Sequence, residues 1–286
     1  MKICFIGGGN MATALSGGLI ARGTRPESIS IVEPRPEARS QLEASFGVMT
    51  YAGCEGATTA AEVIVLAVKP QKMREAMADL RAHIGGQLVI SIAAGIRLAD
   101  ISQMLGGHQR ISRTMPNVAA LIGEGISGLY APPEVGAEDR RTIETIMAAV
   151  GGTIWVEHEA MIDAVTAVSG SGPAYVFYFM EALESAAVTL GFNPADARKL
   201  ALATFRGAAL LAAGSSDPPA VLRERVTSKG GTTEAALAAL RQAGVADTIA
   251  AAVSAANRRG RELGEVRGEV PGPQSASDKN PSGSKN

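Results

Sequence analysis

Cysteine is almost missing from these 286 residues: Cys4 and Cys54 are the only two, and their spacing fits neither a paired redox motif nor a zinc ribbon. A disulfide framework is thereby excluded, and a reducing compartment is expected. Histidine is equally scarce, with His83, His108 and His158 far apart, so no metal centre is expected. Charge of one sign is lacking too, since 27 Lys and Arg face 28 Asp and Glu. That balance points away from nucleic acid and from acidic membrane surfaces, and towards a small-molecule partner. No apolar run approaches the ~18 residues of a membrane helix. Met1-Lys2 leads directly into Ile3-Cys4-Phe5-Ile6, without the charged and apolar regions of a signal peptide, so a cytoplasmic protein is expected.

What the chain does contain is apolar residues, 46% of the total, over a length that suits two folded units better than one. In the first half, short apolar runs alternate with stretches of helical period, the pattern of βαβ units and a parallel sheet covered on both faces. Strands are predicted at 2–6, 29–33, 48–51, 63–68, 88–92 and 110–114, with helices beginning near Met11, Arg35, Pro70 and Arg97. The glycine-rich piece 122–130 reads as a small hairpin or an edge strand, followed by a helix over 137–150 and a strand over 153–157. From about Met161 the alternation stops and Ala/Leu/Val-rich helices take over. The predicted organisation is an α/β Rossmann-like domain over 1–160, an all-α domain over 161–263, and a disordered Gly/Pro/Ser-rich tail over 264–286. Two of the helices, 174–190 and 195–213, are apolar around most of their circumference, which suits packing against a second subunit.

Two regions carry chemistry. "CFIGGGNMATAL" sets Gly7, Gly9 and Ala12 in a G-x-G-x-x-A register, with Asn10 and Met11 between, after a strand and before a helix. The first glycine permits the tight turn, the second lets backbone approach a pyrophosphate, and Ala12 lets helix and strand pack closely. Glu33 ends the next strand where an acidic residue would bind an adenosine ribose and favour NAD. Arg35 and Arg39 pull the other way, since guanidinium groups there could clasp a 2′-phosphate. Further along, Ala67-Val68-Lys69-Pro70 and Ala93-Ala94-Gly95 follow the fourth and fifth strands, where ligands bind in such sheets. Lys69 is either a functional cation or a solvated turn residue. The second region is "VTSKGGTTEAAL", residues 226–237, a run of hydroxyls and glycines before a helix. It is either ordinary helix capping or an anion site.

Taken together, "FIGGGNMA", "LAVKP", "RTMPN", "VTAVSGSGPAY" and "VTSKGGTTEAAL" closely resemble the pyrroline-5-carboxylate reductases, in order and over residues 1 to about 263. The resemblance implies an enzyme of proline biosynthesis that reduces 1-pyrroline-5-carboxylate to L-proline with NADP(H) or NAD(H). It also implies a homodimer with interlocked helices, often assembled into a decamer, each active site combining one subunit's nucleotide domain with helical segments of its partner. Met115, Pro116 and Asn117 then join the cofactor-binding set. Ser228, Gly230, Gly231, Thr232 and Thr233 would bind the substrate carboxylate through backbone N–H groups and hydroxyls. Thr233 would be the catalytic hydroxyl nearest the ring nitrogen, and Ser171, Gly172 and Pro173 would form the facing wall at a helix start, with Pro173 at the first helical position.

The chain departs from the family pattern at Val118-Ala119, where Thr-Pro is common, at Cys54, where Asn is common, and at Lys229, where Pro is common. Two other readings compete. A β-hydroxyacid dehydrogenase shares the layout but places a lysine on the helix after Gly172, where this chain has none through Leu190. A non-catalytic NAD(P)-sensing protein would explain the first half but not the hydroxyl-rich loop.

Overall fold

The computed structural model describes residues 1–268. Eight strands form one sheet: β1 (Ile3–Ile6), β2 (Ile29–Val32), β3 (Met49–Tyr51), β4 (Val63–Leu66), β5 (Leu88–Ser91), β6 (Ile111–Met115), β7 (Gly125–Tyr130) and β8 (Gly151–Trp155). Their spatial order is β3-β2-β1-β4-β5-β6-β7-β8. The first six run parallel, with α1 (Asn10–Ala21), α2 (Pro36–Phe46), α3 (Met73–Arg81) and α4 (Leu98–Met104) among their connections. The strand order reverses between β1 and β4, which opens a crevice at the carboxyl ends of these two strands.

Four successive buried residues make β1 a strand covered on both faces. Alternation sends Ile3 and Phe5 to one side and Cys4 and Ile6 to the other. The first pair joins a core with Ala12, Leu15 and Leu19 of α1 and with Ile143, Ile146 and Met147 of α5 (Ala137–Ala148). The second pair joins Met73, Met77 and Leu80 of α3 and Ile101 of α4. Each Ile, Leu, Phe or Met side chain among these contributes about 1.5–3 kcal/mol when fully buried.

The 122–130 prediction needs correcting. Residues Val118–Ile122 form a 3-10 turn, closed by Gly123 at φ 75, and β7 begins only at Gly125. It lies inside the sheet, antiparallel to β6 and parallel to β8. The glycines that suggested a hairpin serve close approach instead: a Cβ on Gly128 would fall 2.7 Å from Val165, and one on Gly125 2.8 Å from the Val150 carbonyl.

The helical half begins with α6 (Met161–Val165), which runs into a π-helical turn over Thr166–Gly170 and then α7 (Gly172–Thr189). The Ser171 N–H donates to the Thr166 carbonyl at 2.8 Å, five residues back. The expected helix start at 171–173 is therefore a junction between two helical stretches, and Pro173 is the second residue of α7. α8 (Pro194–Ala213), α9 (Pro219–Arg225), α10 (Thr232–Gln242) and α11 (Val245–Gly268) complete the chain. The expected tail over 264–286 is helical as far as Gly268, and its remainder lies outside the described residues. No single helix among the described residues is long and apolar enough to cross a membrane; α10 and α11 pass that test only jointly, across a 51° bend.

None of the α7 side chains is buried within the protomer. Phe177 and Tyr178 on α7 are 61% and 71% exposed, and Leu211 on α8 is 74% exposed. A face of that kind is unfinished without another chain.

Candidate active site

The turn after β1 is built around one glycine conformation. Gly7 has φ 103, and a Cβ there would sit 2.9 Å from the Ala67 carbonyl oxygen and 3.0 Å from Val68 Cγ1. This packs the end of β1 against the turn after β4. Gly9 caps α1 with no side-chain partner for its N–H groups, and open space surrounds the position a Cβ would occupy. Ala12, fully buried, seats the helix on the sheet. Asn10 is exposed and Met11 half-buried at the rim of this helix start. Unpaired N–H groups at an open, positive helix end fit the pyrophosphate of a dinucleotide.

Glu33 is only 6% exposed, and both oxygens of its carboxylate accept hydrogen bonds, three in all. Oε2 accepts from the Gly8 N–H at 3.2 Å, while Oε1 accepts from the Arg35 N–H at 3.1 Å and from Arg35 Nε at 2.9 Å. Burial alone would raise this carboxyl, but the hydrogen bonds from Arg35 and Gly8 outweigh it and hold it below the ordinary carboxylate range. The paired carboxylate raises Arg35 in turn, and most of the Arg35 side chain stays open to solvent. Arg39 Nη1 donates at 2.9 Å to the Glu33 carbonyl and at 2.9 Å to the Pro34 carbonyl, holding a second guanidinium beside the first.

Among the residues expected to line the nicotinamide half, Lys69 is exposed and Pro70 opens a 3-10 turn. Ala93 is buried, and Gly95, at φ 67, turns the chain towards α4. Asn117 Oδ1 accepts from the Ile126 N–H at 3.3 Å, fastening the Met115-Pro116-Asn117 segment to β7. Val118-Ala119 still forms the 3-10 turn without the usual proline. Cys54 is 1% exposed within the core, and its N–H donates to Asp79 Oδ2 at 2.9 Å, so its thiol faces the interior rather than a ribose. Burial pushes Cys4 up to about 11, and burial together with Asp79 raises Cys54, leaving both as neutral thiols.

The helical segment 161–172 crosses the carboxyl end of β6. Gly170 lies where a Cβ would come within 2.8 Å of Met115 Cε, so Ser171, Gly172 and Pro173 follow directly beside the expected nicotinamide position. The 228–233 loop is placed differently. Gly230 has φ 72, its N–H donates to Glu234 Oε2 at 2.6 Å, and the Gly231 N–H donates to the Ser228 carbonyl at 3.0 Å. These two N–H groups are therefore spent inside the loop, which corrects the expectation that they face a ligand. The N–H groups of Thr232 and Thr233 remain at the α10 start, which has no side-chain cap. Ser228 and Thr232 are exposed and Thr233 is half-buried. Lys229 is also exposed, and nothing in the structure explains it. Apart from the bonds inside α10 itself, the hydrogen bonds of residues 228–233 join Gly230 to Glu234, Gly231 to Ser228 and Ala235 to Gly231, all within the loop and the first turn of its own helix.

Sequence reasoning overlooked one buried cluster. Arg113 on β6 is 2% exposed and pairs with Asp163 Oδ1 at 2.7 Å and with Glu159 Oε1 at 3.4 Å. A lone charge in the strand Ile-Ser-Arg-Thr-Met and a lone aspartate in the apolar stretch 160–168 were the available signals. Among the described residues no group of three or more His, Cys, Asp or Glu could hold a metal ion.

A Gly-x-Gly-x-x-Ala turn at the switch point of a doubly wound sheet, joined to an unfinished helical face, defines a dinucleotide-dependent oxidoreductase with a helical dimerisation domain. Comparison with known proteins narrows this class. Residues 159–263 match the family described as pyrroline-5-carboxylate reductase dimerisation, and residues 2–95 match the one described as NADP oxidoreductase, coenzyme F420-dependent. The pyrroline-5-carboxylate reductase of Pseudomonas aeruginosa is 42% identical over 94% of this chain and 98% of its own, and that of Arabidopsis thaliana 36% identical over 92% and 96%. The solved pyrroline-5-carboxylate reductase of Coxiella burnetii superposes with a TM-score of 0.87 at 38% identity, covering 92% of this chain and 98% of that one. The solved pyrroline carboxylate reductase of Plasmodium falciparum, with NADP bound, gives 0.81 at 27% identity over 92% of this chain and 98% of that one. The chain belongs to the pyrroline-5-carboxylate reductase family.

Proposed function

We propose that the protein reduces 1-pyrroline-5-carboxylate to L-proline with NADPH as the preferred cofactor. The observation that carries this reading is the pairing of an open dinucleotide turn at Gly7–Ala12 with a separate hydroxyl-rich helix start at Ser228–Thr233. When bound, the reduced nicotinamide supplies the hydride. The protein's own part is to bind, orient and polarise.

Gly7, Gly9, Asn10, Met11 and Ala12 receive the pyrophosphate; Ala67, Val68, Lys69, Pro70, Ala93, Ala94, Gly95, Met115, Pro116 and Asn117 line the nicotinamide half. The N–H groups of Thr232 and Thr233 and the hydroxyls of Ser228 and Thr232 take the substrate carboxylate, each charge-assisted hydrogen bond contributing about 1.5–3 kcal/mol. Thr233 is the hydroxyl that orients the ring nitrogen, and Ser171, Gly172 and Pro173 wall the opposite side. Since the loop has no tie to its own nucleotide edge, it belongs with the partner subunit's edge in a homodimer. The domains divide at residue 160, with the helical domain running to 263.

Preference for NADPH is supported by the Glu33 geometry. A carboxylate with both oxygens engaged cannot also receive two ribose hydroxyls, and it holds Arg35 and, through main chain, Arg39 where a 2′-phosphate would lie. Assembly beyond the dimer, as in a decamer, is in keeping with the further apolar side chains that the protomer leaves exposed, Leu190, Leu210 and Val226 among them. Two free, buried thiols suit a cytoplasmic location.

Oxidation of NADPH that depends on added pyrroline-5-carboxylate tests the reading directly. Turnover is expected with the imine and not with keto acids. Cofactor binding without turnover would favour a sensing role instead.

A further inference from the structure

Arg113 is hydrogen-bonded to Asp163 and Glu159, neither of which is assigned above to cofactor or substrate, yet it is among the most deeply buried side chains in the protein. It stands two residues before Met115 on β6, so the two share one face of the sheet. That face is covered by the segment 161–170, which is held at three points. Asp163 is bound to Arg113 at 2.7 Å, Val165 packs against Gly128 of β7, and Gly170 abuts Met115. The first point is polar and directional; the other two are apolar contacts.

The cluster reaches beyond one pair. Glu159, at 3.4 Å from Arg113 Nη1, also accepts the Leu98 N–H at 2.8 Å, tying in the first turn of α4. Gly260 of α11 lies over Asp163, with 3.8 Å between a Cβ there and the Asp163 Cβ. The arrangement is not optimised for stability alone, because Arg113 Nε is buried without a hydrogen-bond partner. An apolar pair of equal volume would generally stabilise such a site as well or better. What a charged pair supplies and an apolar one does not is a fixed direction and register.

We propose that Arg113 and Asp163 are positioning residues: their ion pair sets the height of the π turn over β6 and so fixes Ser171, Gly172 and Pro173 against the nicotinamide end of the site. The proposal rests on the imine-reductase reading for its kinetic consequence but not for its structural one.

The test compares the wild-type dimer with Asp163→Asn and Arg113→Lys by amide hydrogen exchange, by dinucleotide binding and by steady-state kinetics with pyrroline-5-carboxylate. In Asp163→Asn, exchange of amides 166–172 is expected to quicken by at least ~10-fold while β1 and β4 stay protected. kcat/KM for the imine should fall ~10-fold, with Kd for NADPH within about twofold of wild type. Arg113→Lys, which keeps the charge, should recover part of both effects. Unchanged exchange and kinetics overturn the proposal, and so does a loss of NADPH affinity in the same proportion as the loss of turnover.

The double variant Arg113→Met with Asp163→Leu fills the space without a buried charge, and it decides the matter if Asp163→Asn does not fold. Wild-type kcat/KM in that variant overturns the proposal; a ~10-fold fall with an undiminished unfolding temperature supports it. A wild-type protein that does not turn over the imine overturns the functional reading alone, and the exchange measurement still decides this one.

Discussion

A carboxylate at the end of β2 can receive a ribose or anchor a guanidinium, and the hydrogen bonds from Gly8 and Arg35 to Glu33 favour the second use. Arg35→Ala should weaken binding of adenosine nucleotides that carry a 2′-phosphate by ~10- to 100-fold, while those without it bind as before. Calorimetric titration with both nucleotide types checks this. Glu33→Gln should also weaken the 2′-phosphate preference, because Arg35 loses its charged anchor. The pH dependence has a definite sign. Glu33 is held below the ordinary carboxylate range, so its contribution to stability is complete above that range and is lost as pH falls through the lowered folded value. Between Glu33→Gln and wild type, the stability gap measured by denaturant should therefore close on acidification. At the other half of the site, Thr233→Val should lower kcat/KM for the imine by ~10- to 100-fold and leave NADPH affinity unchanged, as expected for one charged hydrogen bond. Stopped-flow binding and steady-state rates separate those two quantities.

At the scale of elements, the glycines of the first turn have different duties. Gly7→Ala forces a side chain to φ 103 and against the Ala67 carbonyl, so it should lower the unfolding temperature as well as dinucleotide affinity. Gly9→Ala meets open space in the protein, and should cost affinity with little change in stability. Thermal unfolding with and without NADPH distinguishes the two.

The same elements explain what could be read in advance. Strands β1, β2, β4 and β5 were legible because each is a short, mostly apolar run bounded by turn residues, whereas β3 and the more polar β6 were legible from their place in the alternation with helices. The strand β7 was misplaced because Gly125 and Gly128 are there for close approach to Val150 and Val165, and glycine carries no sequence mark separating that role from a turn. The π turn was invisible for a similar reason: Ser171 N–H to Thr166 carbonyl differs from an α-helical bond by one residue, and no composition encodes it. In the candidate site, the turn at Gly7 and the helix start at Thr232 were legible as helix N-termini. The Arg113–Asp163 pair was not, because the two residues are 50 apart and meet only once the sheet and α6 are stacked.

At the scale of the whole molecule, the helical half decides the state of the protein. With Phe177, Tyr178 and Leu211 exposed in the protomer, the folded unit is a homo-oligomer. Its unfolding temperature should rise with protein concentration, as for any fold whose core is shared between chains. Tyr178→Lys together with Leu211→Glu should give a smaller species by light scattering.

The 228–233 loop, tied only to itself and its own helix, has a genetic counterpart. On the proposed arrangement, Gly9→Ala should weaken a nucleotide edge and Thr233→Val a substrate loop, so each variant alone should be impaired. Subunits mixed by denaturation and refolding would place an intact edge opposite an intact loop in one of the two sites of every mixed dimer, restoring roughly a quarter of all sites under random pairing. Two alleles defective in different halves of this protein should therefore complement each other within one cell, whereas two alleles defective in the same half should not.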